Sequence, residues 1–205
     1  MASYSHRNIY IVGAQCTGKT TLVNDLDNYF TTSRPPSTAC PRPVIIPEVA
    51  RSVLRNNAIP ATDIRSSPER ALELQKLMFQ AQVFAERDAL GSGGWFISDR
   101  SGVDPICYAL KYAGKEGAAF LLASEDWNEM KRRMAEALII VCEPGADWLH
   151  DDGVRLMPLD RDEWIGIHDV FCSVMNDLSL TYVVLPAKLT DRAARVDFVL
   201  SRLHS

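Results

Sequence analysis

The sequence has few of the features that mark secreted, membrane-spanning or nucleic-acid-binding proteins. Its five cysteines are odd in number and include no C-x-x-C pair, so they indicate neither a disulfide framework nor a zinc site. No stretch approaches the roughly 18 consecutive apolar residues of a membrane span, and the first residues, MASYSHRN, lack the apolar core of a secretion signal. We therefore expect a cytoplasmic protein with no integral membrane segment.

The chain also has no large excess of charge of one sign. The chain carries 22 Lys+Arg against 26 Asp+Glu, a formal net charge of −4, and no block of basic residues. Proteins that bind duplex nucleic acid need clustered Lys and Arg to neutralise phosphates, so a nucleic-acid partner is not expected. The four histidines lie scattered without the spacing of metal ligands.

The 205 residues, 47% hydrophobic and 23% charged, have the composition of an ordinary globular protein. Short apolar runs alternate with segments of helical period, a pattern typical of a parallel sheet with crossover helices on both faces. The predicted strands, five in number, are Asn8–Val12, Val44–Pro47, Trp95–Ser98, Leu138–Cys142 and Thr181–Leu185.

The helical segments are predicted from apolar residues that recur on one face. One helix is expected over Glu69–Leu90, with Leu74, Leu77, Met78, Ala81 and Phe84 inward. A second is expected over Arg161–Leu178, with Asp160 and Glu163 forming a capping box and Trp164, Ile167, Phe171 and Leu178 inward. Ser124 is expected to cap a helix over Ser124–Ala135, and Thr190 to open a last one with Val196, Val199, Leu200 and Leu203 inward.

Two stretches lack a hydrophobic period. Residues 31–43 hold four prolines and are predicted to be a surface insert. Residues 143–161 are too long for a routine connection and are predicted to form a lid. This segment carries Arg155 and ends at Arg161, and both arginines are candidates for a charge clamp on a moving phosphoryl group.

The decisive motif is G-x-x-x-x-G-K-[ST], directly after the first strand and before a helix predicted to run from Gly18 to about Tyr29. Glycines let backbone N–H groups surround a phosphate, and the helix N-terminus adds further donors. Lys19 is expected to reach the β- and γ-phosphates, and the Thr20 hydroxyl to ligate Mg²⁺. The predicted nucleotide-binding residues are Gly13, Ala14, Gln15, Cys16, Thr17, Gly18, Lys19, Thr20 and Thr21.

Two acids follow neighbouring predicted strands. Glu48 comes just after the second strand and Asp99 just after the third, so both are expected at the carboxyl edge of the sheet, where ligands bind. Phosphoryl transfer to an alcohol needs one carboxylate for the hydroxyl proton and one for Mg²⁺. We assign Asp99 to the base or magnesium role, and Glu48 to binding the substrate hydroxyl or to the base.

Several neighbours of these acids are candidates for the acceptor pocket. Arg51 and Arg100 lie beside the carboxylates, and Asp104 is suited to binding ribose hydroxyls. Tyr108, Tyr112 and Trp127 are weighed as ring-stacking residues, although the helical spacing of the two tyrosines favours a role in the core.

The segments IYIVGAQCTGKTTL, IIPEVAR, ISDRS and ADWLHDDGVR together resemble the NadR-like AAA-domain family, which includes a ribosylnicotinamide kinase domain. The resemblance extends from Ile9 to the final helix. It implies a nucleoside-kinase-like P-loop fold and ATP- and Mg²⁺-dependent phosphorylation of a ribosyl hydroxyl. The Asp99-Arg100-Ser101 sequence is similar to a motif of deoxynucleoside kinases.

We therefore expect one P-loop kinase-like domain over residues 1–205 that phosphorylates a nucleoside or similar ribosyl compound such as nicotinamide riboside. ATP is the expected phosphoryl donor and GTP stays open; the oligomeric state is not indicated by the sequence. Two alternatives stay open as well. One is a nucleotide-dependent regulatory protein that presents a surface to a protein or phosphoinositide partner, and the other is an NTPase that transfers to water.

Overall fold

The computed structural model describes residues 7–32, 41–57, 63–92, 94–145 and 158–203. Within these ranges the chain forms an α/β sandwich around a single sheet. Its strands are β1 (Ile9–Val12), β2 (Val44–Ile46), β3 (Phe96–Asp99), β4 (Leu138–Cys142) and β5 (Val183–Leu185).

The sheet is parallel throughout, with the strand order β2-β3-β1-β4-β5. Because β1 lies between β3 and β4, the turn that leaves β1 is flanked by the ends of both strands. The carboxyl ends of β2, β3 and β1 therefore meet at one edge, the place where open α/β sheets bind ligands. This is the P-loop NTPase architecture that the sequence predicts, and the prediction is confirmed.

The helices cover both faces of the sheet. In chain order they are α1 (Lys19–Thr32), α2 (Val49–Asn57), α3 (Asp63–Ser66), α4 (Pro68–Gly91), α5 (Val103–Tyr112), α6 (Gly114–Leu122), α7 (Glu125–Ala135), α8 (Arg161–Asp177) and α9 (Arg192–Leu203). None of them is long and apolar enough to cross a lipid bilayer, within the part of the chain that the structure describes.

Successive side chains of β1 point to opposite faces of the sheet, and each face has its own apolar core. Ile9 and Ile11 face a cluster formed with α1 and α9, whereas Tyr10 and Val12 face a larger cluster formed with α4, α5, α7 and α8. All four side chains are fully buried. Because helices cover both faces, the strand reads as a continuous apolar run.

Helix ends largely follow the predicted caps. Ser124 accepts a hydrogen bond from the Trp127 N–H, and Asp160 accepts one from the Glu163 N–H. The Glu163 carboxylate bonds the N–H of Leu159, one residue earlier than a capping box requires. The last helix begins two residues after Thr190, because Asp191 caps it by accepting from the Ala194 N–H.

Two predicted boundaries are wrong by a few residues. Helix α1 continues through Thr31 and Thr32, whose hydroxyls donate to the carbonyls of Asp27 and Asn28 inside the helix. The irregular stretch therefore begins after residue 32, and residues 33–40 of it lie outside the described part. Strand β5 begins at Val183 and not at Thr181.

The predicted inward face of α4 is wrong at Phe84, whose side chain is 74% exposed. Leu74 is buried as expected, but the inward stripe continues through Gln75, Gln82 and Glu86, all buried. Apolar periodicity misplaced the face because polar side chains occupy several of its positions.

Gly13 lies where β1 passes closest to β4. Its φ is +124°, and a Cβ atom there would lie 2.8 Å from the carbonyl oxygen of Cys142. No L side chain adopts this backbone conformation easily, and the obstacle is backbone that cannot move aside. Glycine is therefore required at the start of the loop between β1 and α1.

We expect Gly13→Ala to lower the free energy of unfolding by about 1–3 kcal/mol because of this strain. Gly166 is the matched control: it lies inside α8, and a Cβ there would meet nothing within 4 Å. Gly166→Ala is expected to be neutral or stabilising by up to about 1 kcal/mol. Urea denaturation measures both, and equal effects of the two substitutions would contradict this account of Gly13.

Candidate active site

The loop between β1 and α1 is held in a tight turn. Gly13 and Gly18 have positive φ, and so does Cys16 at its tip, with φ 58°. The Lys19 ammonium is buried and donates to the carbonyl of Ala14 within the loop. Burial lowers the pKa of Lys19 to about 8, and the positive charge of Arg100 contributes to the same shift. A phosphate would supply the negative charge that this buried cation lacks.

Three distant elements hold this loop in place. From α8, the Trp164 indole donates to the carbonyl of Gln15 over 2.7 Å, and from α5 the Tyr108 hydroxyl donates to the Gln15 side-chain oxygen over 2.7 Å. From α9, Arg195 donates to the carbonyl of Thr17 over 3.0 Å. These bonds fix the loop before any ligand arrives, which reduces the ordering cost of binding.

Sequence reasoning missed Arg195. It is 5% exposed, and it lies four residues before Val199 and eight before Leu203 on the inward face of α9. An arginine inside an apolar helix stripe is a signal that it has a buried partner. That signal was present in the sequence.

The loop forms one wall of an open cavity of about 380 Å³, here called the nucleotide cavity. The loop and α1 contribute residues Cys16 to Leu22, and Thr190, Arg192 and Arg195 also line the cavity. Glu48 and Arg51 close one end. Backbone N–H groups and several cations therefore face a common space large enough for a nucleotide.

Thr20 and Asp99 lie together beside this cavity. The Thr20 hydroxyl donates to Oδ2 of Asp99 over 2.5 Å. The other carboxylate oxygen, Oδ1, is buried without a hydrogen-bond partner in the described part of the chain. A hydroxyl and an unpartnered carboxylate oxygen are the oxygen donors that Mg²⁺ takes in P-loop proteins, so these two residues fit the ion.

Arg100 connects the acids on the other side of the loop. Its backbone has φ +90°, an unusual conformation for a non-glycine residue. The buried guanidinium donates to Glu48 from Nε over 2.8 Å and to Asp104 from Nη1 over 3.2 Å. Arg51 adds a second ion pair to Glu48 at 2.8 Å. This unusual backbone conformation thus directs the Arg100 guanidinium toward the carboxylates of Glu48 and Asp104.

These contacts determine the charge states. Burial opposes ionisation of Glu48, but the charge and hydrogen bond of Arg100 outweigh it and lower the pKa of Glu48 to about 2. The pKa of Asp104 is raised, because its burial outweighs the attraction of Arg100. Glu48 is therefore an ionised acceptor at neutral pH.

A second cavity, here called the inner cavity, lies between α2, α3, α4 and α5. Its volume is about 60 Å³, below the roughly 300–1,000 Å³ typical of small-molecule sites, so a ligand as large as a nucleoside would have to widen it. Leu54, Ile64 and Met78 supply apolar wall, and Arg100, Asp104 and Tyr108 supply polar groups. Glu48 lines both this cavity and the nucleotide cavity, so this residue lies between the two.

The structure brings most of the predicted site residues together. Residues 16–21, Glu48 and Arg51 line the nucleotide cavity, and Gln15, Arg100, Asp104 and Tyr108 line the inner one. Gly13, Ala14 and Asp99 line neither. Arg161 lies exposed at the start of α8, beside Gly145, and lines neither cavity. Arg155 lies outside the described residues.

The two remaining aromatic candidates have structural contacts. Trp127 is 3% exposed within the larger core cluster, and Tyr112 donates its hydroxyl to Glu163 over 3.2 Å. Neither lines the nucleotide cavity or the inner cavity. Sequence reasoning missed Gln75 and Gln82, which line the inner cavity from α4. Their signal was polar residues seven apart on a helix face that also carries Leu74.

A family model described as an AAA domain matches residues 8–194. No protein among the curated sequences matches the chain closely enough to count as a relative. Two solved structures similar to this chain are the NadR protein in complex with NR and the deoxyadenosine kinase from M. mycoides with bound dATP.

The NadR structure superposes with a TM-score of 0.73 at 20% identity and covers 97% of this chain. This chain spans only 50% of the NadR chain. The deoxyadenosine kinase superposes with a TM-score of 0.61 at 15% identity and covers 98% of this chain and 100% of its own. At these identities the likeness establishes the fold.

We expect Lys19→Met to weaken ATP binding about tenfold or more, because a charged hydrogen bond to phosphate contributes about 1.5–3 kcal/mol. Methionine keeps the length of the buried stem and removes only the charge. Lys115→Met, on an exposed position of α6, is the control and should leave affinity unchanged. Calorimetric titration measures both, and an unaltered dissociation constant for Lys19→Met would contradict the site.

Proposed function

The chain belongs to the NadR-like AAA-domain P-loop family, and on that premise we propose that it is a small-molecule kinase. It uses Mg·ATP and transfers the γ-phosphoryl group to a hydroxyl of a nucleoside or a similar ribosyl compound, with nicotinamide riboside as the first acceptor to test. The observation that carries the proposal is the position of Glu48, which lines both cavities.

The nucleotide cavity suits the phosphoryl donor. The loop N–H groups and Lys19 bind the triphosphate, and Thr20 with Asp99 would hold Mg²⁺, which neutralises charge on the phosphates when bound. The buried cations next to the loop hold the terminal phosphate in a fixed position. Positioning and charge stabilisation supply most of the catalysis in phosphoryl transfer.

The residues that line the inner cavity suit the acceptor, which would widen this small cavity when it binds. A hydroxyl at its mouth would donate a hydrogen bond to Glu48 while its oxygen faces the terminal phosphate. Because the pKa of Glu48 is about 2, its carboxylate is a weak base. It orients the acceptor hydroxyl and does not remove the hydroxyl proton before phosphoryl transfer begins. A loose transfer of the phosphoryl group needs the proton only as the new O–P bond forms. Arg100 keeps Glu48 ionised throughout.

We expect the full chain with Mg·ATP to form ADP only when an acceptor is added, and mass spectrometry to detect the phosphorylated acceptor. Nucleosides, deoxynucleosides and nicotinamide riboside form the panel, each tested with ATP and with GTP. ADP formation at the same rate without acceptor would indicate transfer to water. Tight nucleotide binding without turnover on any acceptor would indicate a nucleotide-dependent regulatory protein.

Asp99→Asn and Glu48→Gln separate chemistry from binding. Each is expected to lower kcat about 100-fold or more while ATP still binds, because orientation of the hydroxyl and positioning of the metal act mainly in the transition state. Asp88→Asn and Glu116→Gln, both exposed on helices, are the matched controls. Circular dichroism verifies folding, and retention of full turnover in both site variants would exclude the proposed roles.

A further inference from the structure

Gln15 is the residue at which the loop between β1 and α1 faces the inner cavity. It lines that cavity, whereas the next residues along the chain, 16–21, line the nucleotide cavity. Gln15 is 1% exposed, so its side chain is closely packed and has little freedom to change position. A displacement of Gln15 would therefore move the adjoining backbone that binds the triphosphate.

Two helices hold Gln15, and they do so at different atoms. The Trp164 indole on α8 donates to the Gln15 backbone carbonyl, and the Tyr108 hydroxyl on α5 donates to the Gln15 side-chain oxygen, each over 2.7 Å. Trp164 lines neither the nucleotide cavity nor the inner cavity, whereas Tyr108 lines the inner cavity. Of these two bonds, the one from Tyr108 joins the loop to a wall of the inner cavity.

The Tyr108 hydroxyl also contacts Arg100. Burial raises the pKa of Tyr108 to about 12, so the phenol stays protonated and remains a donor to Gln15 at neutral pH. The charge of Arg100, and a hydrogen bond from its guanidinium to the same phenol oxygen, act on the pKa of Tyr108 in the opposite direction. Arg100 in turn donates from Nε to Glu48 over 2.8 Å. One phenol oxygen therefore links the loop to the cation that holds Glu48.

The ring of Tyr108 is fixed by its packing. It makes an edge-to-face contact with Phe171 on α8, with ring centroids 6.1 Å apart, and it stacks on Tyr112 of its own helix at 6.3 Å. Phe171 is fully buried, so this support belongs to the core. Side chains held by packing in this way can position a site to within about 0.5 Å.

Phosphoryl transfer depends on the separation that these contacts set. The acceptor oxygen must lie about 3–3.5 Å from the terminal phosphorus for transfer to occur. In the proposed function the loop after β1 holds the phosphate, and Glu48, just after β2, holds the acceptor hydroxyl. The two groups come from different strands, so side-chain contacts must join them. The path from Gln15 through Tyr108 and Arg100 to Glu48 does so.

We propose that Tyr108 is a positioning residue for phosphoryl transfer, because its hydroxyl joins Gln15 of the loop to Arg100 and so sets the distance between the terminal phosphate and the acceptor hydroxyl. The phenol itself neither bonds to phosphorus nor transfers a proton. This inference rests on the proposed function, since it concerns the geometry of that transfer. Loss of the hydroxyl is therefore expected to slow transfer more than it weakens the binding of either ligand.

Tyr108→Phe removes the hydroxyl and keeps the packed ring. With Mg·ATP and the fastest acceptor among nicotinamide riboside, adenosine and deoxyadenosine, kcat is expected to fall about tenfold while KM for ATP and for the acceptor changes less than about threefold. An unchanged kcat would overturn the proposal. A loss confined to ATP affinity would also overturn it, because the hydroxyl would then only stabilise the loop.

Tyr112→Phe is the matched control on the same helix. Tyr112 lies four residues after Tyr108, and its hydroxyl donates to Glu163. The control is expected to keep kcat within about twofold of the unaltered chain, because its hydroxyl does not bond the loop residue Gln15. Circular dichroism verifies that both variants fold. An equal loss of kcat in both would show that the contact with Gln15 is not the cause.

A double-mutant cycle tests whether Tyr108 acts through Gln15. Gln15→Met keeps the length of the side chain and removes the oxygen that accepts from Tyr108. If the two residues form one contact, adding Tyr108→Phe to Gln15→Met is expected to lower kcat by less than about twofold further. Losses that multiply in the combined variant would overturn the path through Gln15. If Gln15→Met fails to fold, the comparison of Tyr108→Phe with Tyr112→Phe decides alone.

The unaltered chain distinguishes failure of this inference from failure of the proposed function. If the unaltered chain phosphorylates none of the three acceptors, the proposed function fails for them, and the role of Tyr108 in their phosphorylation fails with it. If it phosphorylates one of them and Tyr108→Phe does so with the same kcat, only the role of Tyr108 fails.

Discussion

Both cavities depend on the buried guanidinium of Arg100. It neutralises Glu48 and Asp104 in a region from which water is largely excluded, and its backbone adopts φ +90° to reach them. Removing one member of a buried ion pair leaves an uncompensated charge, so the loss of any one of these three residues would destabilise the burial of the others. Strain of this kind persists where the surrounding structure imposes it, and it concentrates at functional sites. Here it places an ionised carboxylate between the two cavities.

The sheet makes that placement possible. Gly13, Glu48 and Asp99 come from the ends of three adjacent parallel strands, so residues far apart in sequence meet at one edge. Each of them was predictable, because the glycine motif, the apolar strands and an acid after each strand are local patterns. The parallel order and the helices on both faces were predictable for the same reason, since buried strands are continuous apolar runs.

What sequence reasoning missed depends on contacts between distant elements. Helix α4 illustrates this, because its periodicity favoured Phe84 over Gln75, Gln82 and Glu86 as inward residues, and the structure reverses that choice. A polar side chain is stable inside only if its partners are present, and those partners lie on β1, β3 and α7. The pairing of Arg195 with the carbonyl of Thr17 has the same origin. The local sequence can indicate that such a side chain has a buried partner, but it does not indicate which residue that partner is.

A crystal structure of the full chain with Mg²⁺, a non-hydrolysable ATP analogue and a ribosyl acceptor tests the central claim most directly. The account predicts that an acceptor hydroxyl will donate to Glu48, with its oxygen about 3–3.5 Å from the terminal phosphorus. It also predicts that the metal will lie against Thr20 and Asp99. An acceptor bound away from the inner cavity, or a Glu48 carboxylate turned from the terminal phosphate, would contradict the account.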